Sequence, residues 1–120
     1  MEDTAGRSYI RLTSYLAPEV NRTVGQQIRY KCEAAGSPKP VFSWKRNNVP
    51  LERRPNIKVR NKDHFSRLTI VDLEVLNSGF YECIATNSAG TVKTGSKLKN
   101  KYVWSKRCVR HLEVPETIEL

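Results

Sequence analysis

Two cysteines, Cys32 and Cys83, with Trp44 between them and Tyr81 two residues before the second, constrain this chain more than any other feature. Side chains alternate along a strand with a period of two, so residues of one parity line one face. On that reading Ile28, Tyr30, Cys32 and Ala34 share one face of a strand, and Phe42 and Trp44 one face of the next. Tyr81, Cys83 and Ala85 share one face of a third. All three faces belong to a single core.

At these spacings the four residues resemble the cysteine, tryptophan, cysteine and tyrosine-corner set of an immunoglobulin sandwich. The resemblance implies a Cys32–Cys83 cystine crossing between two packed sheets with the Trp44 indole against it. It also implies a Tyr81 hydroxyl bonded back to the backbone at its strand entry. The flanking residues narrow the likeness: Gly36-Ser37-Pro38-Lys39-Pro40, Leu68-Thr69-Ile70, the run from Asn77 through Asn87, and Gly90 are similar to an intermediate-set (I-set) immunoglobulin domain over roughly residues 19–98. The expected fold is all-β, an immunoglobulin-like I-set β-sandwich of two antiparallel sheets with Greek-key topology, its core holding Trp44, Tyr81, Leu68 and Ile70. One position departs from the family pattern. Asn77 stands where an Asp usually pairs with an Arg across the bottom of the sandwich, and an amide keeps hydrogen bonds but not an ion pair.

Shorter motifs point to relatives within that family. Trp44 through Leu51, Arg53-Arg54, Ser66 through Ile70 and Cys83 through Asn87 resemble the immunoglobulin domain of ROR-family receptor tyrosine kinases, in which a cysteine-rich Frizzled-like domain follows. Lys58-Val59-Arg60-Asn61 is similar to the second immunoglobulin domain of fibroblast growth factor receptors, whose basic face engages heparin. These likenesses imply a receptor ectodomain.

A chain of 120 residues holds one domain of about 100 residues with short appendages. Residues 1–14 are read as a lead-in or edge strand, 15–99 as the I-set domain, and 100–120 as a basic tail or the start of a next module. The net charge is +9, and it is uneven. Residues 39–62 carry eight basic side chains and one acidic, and residues 93–110 carry seven basic and none acidic, so the remainder is net acidic. Such a surface favours anionic partners.

The three cysteines leave one over if Cys32 and Cys83 pair. A pair points to an oxidising compartment, although cytoplasmic I-set domains with reduced thiols at these positions also exist. Cys108 has three readings: a bond to a cysteine of a downstream module, a bond between two chains, or a thiol made reactive by Lys106, Arg107 and Arg110. No apolar run reaches the about 18 residues that span a membrane, and the N-terminus has no signal-peptide pattern. The chain is therefore read as a fragment whose leader and neighbouring domains lie outside it.

Several surface features are candidates for function. Ile57 and Val59 point one way while Lys58, Arg60 and Lys62 point the other, and Lys45, Arg46, Arg53 and Arg54 lie nearby in sequence. These seven cations are the candidate anion track, with heparan sulfate as the expected polyanion and a solvated face as the alternative. Arg29, Lys31 and Glu33 form the outward set of the first cysteine strand. Phe80 and Ile84 have parity opposite to the core and are expected to face outward beside Val41, either as a protein-contact surface or homodimer face or as a surface covered by the tail or an N-terminal strand. Asn21-Arg22-Thr23 is an acceptor sequon for N-glycosylation, with Asn21 as the candidate site.

Catalysis and cofactors find no support in these residues. His64 and His111 are far apart in the chain, so no nucleophile, base and orienting acid are brought together by sequence. Cys108 with His111 is short of a tetrahedral zinc set. No Gly-rich phosphate loop follows a strand and opens a helix, and outside Tyr102 and Trp104 the interleaving of aromatic residues with cations that stacking on bases requires is weak, so no nucleic acid partner is expected. The reading is a non-enzymatic extracellular binding module that engages a protein ligand, a co-receptor or heparan sulfate. The alternatives are a cytoplasmic cytoskeletal domain meeting an acidic filament such as actin, and a homophilic adhesion or secreted matrix domain.

Overall fold

Nine strands build two stacked sheets in this computed structural model, which describes residues 7–102. They are β1 (Tyr9–Ser14), β2 (Glu19–Thr23), β3 (Ile28–Ser37), β4 (Val41–Arg46), β5 (Val49–Pro50), β6 (Ile57–Asn61), β7 (Phe65–Ile70), β8 (Gly79–Asn87) and β9 (Gly90–Lys101). One sheet has the order β1-β3-β7-β6 and the other β2-β9-β8-β4-β5. A 3₁₀ turn, Val75–Asn77, bridges from β7 to β8.

Burial follows the period-two pattern because each sheet has one face inside. In β3 the even-numbered positions from Ile28 to Gly36 are buried, and in β8 the odd-numbered Tyr81, Cys83 and Ala85. Cys32 and Cys83 are disulfide-bonded between the sheets with Cα atoms 6.3 Å apart. Trp44 lies against Tyr30, ring centroids 6.3 Å apart, and Tyr30 in turn lies 6.0 Å from Tyr81. Leu68, Ile70 and Leu73 fill the space beneath. Each such buried side chain contributes about 1.5–3 kcal/mol of burial free energy.

The polar atoms of these aromatic residues are all satisfied, as burial requires. Trp44 Nε1 donates to Ser66 Oγ at 2.8 Å, and Ser66 Oγ donates to Asn61 Oδ1 at 2.5 Å. The Tyr30 hydroxyl meets Ser96 Oγ at 2.9 Å. The Tyr81 hydroxyl donates to the Asn77 carbonyl at 2.6 Å, which forms the tyrosine corner. Burial raises the Tyr81 pKa to about 12, against a smaller lowering by Arg46, so the phenol stays protonated and keeps donating.

One pairing departs from the antiparallel expectation. After β1 the chain leaves the four-stranded sheet, and beyond Pro18 it re-enters as β2, which runs parallel to β9 in the other sheet. The crossover is held because Leu16 is buried, its N–H bonds Thr94 Oγ1 at 3.0 Å, and the Pro18 carbonyl accepts from Lys97 N at 2.8 Å. Between β4 and β5 the turn residues Asn47 and Asn48 both take positive φ (52° and 69°), which Asn tolerates and a two-residue hairpin turn demands. Asn47 Oδ1 also accepts the Phe80 N–H at 2.9 Å, tying this turn to β8.

Candidate functional site

The outer face of β3, β7 and β6 gathers cations from three strands. Register places Arg60 opposite Arg67 and Arg67 opposite Lys31, so three positive side chains stand in one cross-strand row. The next row reads Lys58, Thr69, Arg29. Neighbouring strands lie about 4.8 Å apart and same-face rows about 6.8 Å apart, so all five charges fall within one small flat field. Arg53, from the loop before β6, lines the same shallow groove. These three strands contribute a single carboxylate to the face, Glu33, which lies 3.4 Å from Lys31 Nζ. Lys31 and Arg67 also lie over the Phe65 ring, 4.7 and 5.7 Å from its centroid. Like charges directly opposite one another destabilise a sheet, so this concentration costs folding free energy and is offset by Glu33 and Phe65 only at one end.

The candidate anion track taken from sequence is redrawn by this geometry. Arg53, Lys58 and Arg60 come together with Arg29 and Arg67, which were not among the candidates. Lys62, just past β6, is exposed and continues the parity of Lys58 and Arg60. Lys45 lies on the other sheet, opposite Glu82. Arg46 is largely committed within the domain: its guanidinium donates to the Leu76 carbonyl and, at 2.9 Å, to the Ser78 carbonyl. It caps the end of the 3₁₀ turn, where carbonyls lack helical partners. Arg54 is ion-paired with Glu52 at 3.0 Å. The chain crosses from one sheet to the other between β5 and β6, so proximity in sequence misleads there.

Asn77, at the position usually taken by Asp, uses its Oδ1 to accept the Glu74 N–H at 2.8 Å and so closes the turn locally. No ion pair involving it is needed for that. His64 is exposed, and its neighbour Asp63 pairs with Lys39 at 3.1 Å. Among the described residues no group of three or more His, Cys, Asp or Glu is placed to hold a metal ion. Trp104, Cys108 and His111 lie outside the described residues.

The apolar candidates on the opposite sheet do not form one patch. Val41, 71 % exposed, pairs in register with Thr86, and Ile84 with Ser43, so these two lie near one another at one end. Phe80 sits toward the other end, beyond Glu82, and the outer end of its ring reaches over Gly95: a Cβ built there would be 2.3 Å from the ring's Cζ. Gly95→Ala is therefore expected to push the half-exposed ring off the sheet and to cost about 0.5–1 kcal/mol in urea unfolding. An unchanged midpoint would show that the ring does not pack there. Asn21 is exposed on the edge strand β2, beside Lys99 of β9.

Two β-layers bridged by a buried cystine, with an indole in the core and a tyrosine corner at the entry to β8, define an immunoglobulin sandwich. The chain belongs to the immunoglobulin I-set family, whose family model it matches over residues 12–99. Domains of this family are generally non-catalytic. Among proteins of similar sequence, contactin-5 of Danio rerio is 35% identical over 107 residues, covering 82% of this chain and 10% of that protein. Contactin-2 of Rattus norvegicus is 37% identical over 76 residues, covering 62% of this chain and 7% of that protein. This chain thus spans about a tenth of the length of the contactins it matches. Among solved structures, a chimeric titin Z1Z2 aligns with a TM-score of 0.73 and 30% identity, covering 78% of this chain and 95% of that one. The titin M3 domain aligns with a TM-score of 0.71 and 26% identity, covering 77% and 96%. These relatives are contactins and titin domains, not the ROR-family or fibroblast growth factor receptors that the short motifs resemble. Those motifs lie mostly on positions that the I-set sandwich itself dictates, such as the Trp44 and Cys83 strands, which is why they do not separate its branches.

Proposed function

We propose that this chain is a non-catalytic extracellular recognition module, part of a cell-surface receptor or adhesion protein, which engages heparan sulfate through the outer face of β3, β7 and β6. A protein ligand or co-receptor is bound elsewhere on its surface. The observation that carries the polyanion reading is the row Arg60, Arg67, Lys31, backed by Lys58 and Arg29, with one carboxylate among them. Such a field gains affinity by releasing the counterions of a polyanion, and that gain falls with salt. The aromatic ring beside it among the described residues, Phe65, is already covered by Lys31 and Arg67, which favours a sulfated sugar over stacked bases.

The disulfide and the contactin relatives support an extracellular setting. The titin neighbours stand behind the alternative of a cytoplasmic domain meeting an acidic filament. Thiol counting on native protein separates the two, since a cystine favours the first. For the ligand, Arg60→Glu with Arg67→Glu is expected to elute from heparin at clearly lower salt than Lys97→Glu with Lys101→Glu. Both pairs change the net charge equally, so matching elution would reduce the effect to bulk charge. A second reading, homophilic or protein contact through Val41 and Ile84, rests on the 71 % exposure of Val41.

A further inference from the structure

Sheet edges expose backbone that another strand can pair with, and folds usually blunt them. Of the four edge strands here, β1 is bulged between Leu12 and Ser14, and β5 has two residues and ends in Pro50. The third, β2, carries the sequon at Asn21. The fourth, β6, runs five residues in unbroken register without proline, glycine or bulge.

The direction of its free groups follows from its hydrogen bonds. Val71 N–H bonds the Asn56 carbonyl and Lys62 N–H the Phe65 carbonyl, so even-numbered positions of β6 face β7. Ile57, Val59 and Asn61 therefore turn their N–H and C=O away from the sheet. The Ile57 N–H is taken by the Arg54 carbonyl at 3.0 Å, while the amides of Val59 and Asn61 have no such partner among the described residues. They open onto a cleft of about 530 Å³ between β6 and β4. The cleft exists because β5 covers only Lys45 and Arg46 of β4. Phe42, Trp44 and Leu51 line it, and Val59 remains 44 % exposed although it points inward.

We infer that β6 and this cleft receive an extended segment of a partner protein as an added strand, one in which apolar and acidic residues alternate. Alternation supplies the sequence rule: apolar side chains of the added strand fall into the cleft, and the others emerge on the outer face beside Lys58 and Arg60. Charge selects the occupant. Arg53, Lys58 and Arg60 border the site, so carboxylates are favoured there, whereas a second copy would bring its own Lys58 and Arg60 against the first. The heparan sulfate reading shares Lys58 and Arg60 with this one, but only this one depends on the Val59 and Asn61 backbone, so a change confined to Val59 lets the two fail separately.

The test uses two blocked peptides of about seven residues, one alternating Val or Thr with Glu and one with Lys in place of Glu. The Glu peptide is expected to bind at least about tenfold more tightly than the Lys peptide. It is also expected to slow amide exchange at Val59 and Asn61. Val59→Pro removes an N–H on the unbonded side, so the ladder to β7 is kept while peptide affinity drops about tenfold or more and heparin elution stays the same. Val59→Lys, which leaves the backbone intact, places an ammonium in the apolar cleft and is expected to bring a similar loss. Equal binding of both peptides, or full binding to both Val59 variants, overturns the proposal. So does concentration-dependent protection of these amides without peptide, which would make a second copy the occupant.

Discussion

Replacing Cys32 and Cys83 together by alanine is expected to lower the folding free energy by about 4 kcal/mol, measured by urea unfolding at 25 °C. The residues are 51 apart in sequence, and the cystine removes that much loop freedom from the unfolded chain. In the chain-entropy account the loss grows only with the logarithm of loop length, so a bridge of this span is already near the large end. Both residues are fully buried in the core, so removing two sulfur atoms also leaves unfilled space that the surrounding side chains close only in part. Against a total stability of about 5–15 kcal/mol the change is large enough to leave a weakly folded domain. The denaturant slope is expected to rise, because the unbridged unfolded chain exposes more surface. A loss under about 1 kcal/mol would mean that the unfolded chain is held compact by something other than this bridge.

The parts of the fold legible in the sequence are those where local pattern and burial coincide. Cys32, Trp44, Tyr81 and Cys83 could be placed on inner faces because period-two alternation is imposed on each strand by its own two-sided environment. Asn47-Asn48 could be read as a turn because few residue types accept positive φ in succession. What could not be read is what pairing decides. Nothing local to Glu19–Thr23 says that this strand joins the other sheet in parallel; the buried Leu16 and the Thr94 hydroxyl settle it from a distance. Arg46 looks like one more surface cation until the 3₁₀ turn arrives beside it with carbonyls to cap.

The binding face shows the same division. Lys58 and Arg60 announce themselves by alternation, and Arg29 with Lys31 were legible as outward-facing for the same reason. That Arg67 sits between Arg60 and Lys31 is a matter of register, which a strand's own residues do not encode. Val41 and Phe80 share the outer face yet stand at opposite ends of their sheet, because antiparallel pairing sets Val41 beside Thr86. Parity fixes a face; only register fixes a neighbour.

Trp44→Ala is expected to cost about 3–5 kcal/mol, the second of the two largest effects, and Trp44→Phe about 1–2 kcal/mol. The difference separates packing from hydrogen bonding. The indole is 6 % exposed, lies against Tyr30 and forms part of the wall of the cleft beside β6, so alanine opens a hole continuous with that cleft. Phenylalanine refills most of the volume but loses the Nε1 donor to Ser66 Oγ. Ser66 keeps its own bond to Asn61 Oδ1, so no donor is left stranded by that change and its cost stays small. If the two variants lose equal stability, the hydrogen-bonded chain from Trp44 through Ser66 to Asn61, rather than the bulk of the ring, holds this part of the core. Equality would also tie core stability to the edge strand itself, since Asn61 is the last residue of β6, and peptide binding there would then change with Trp44→Phe as well.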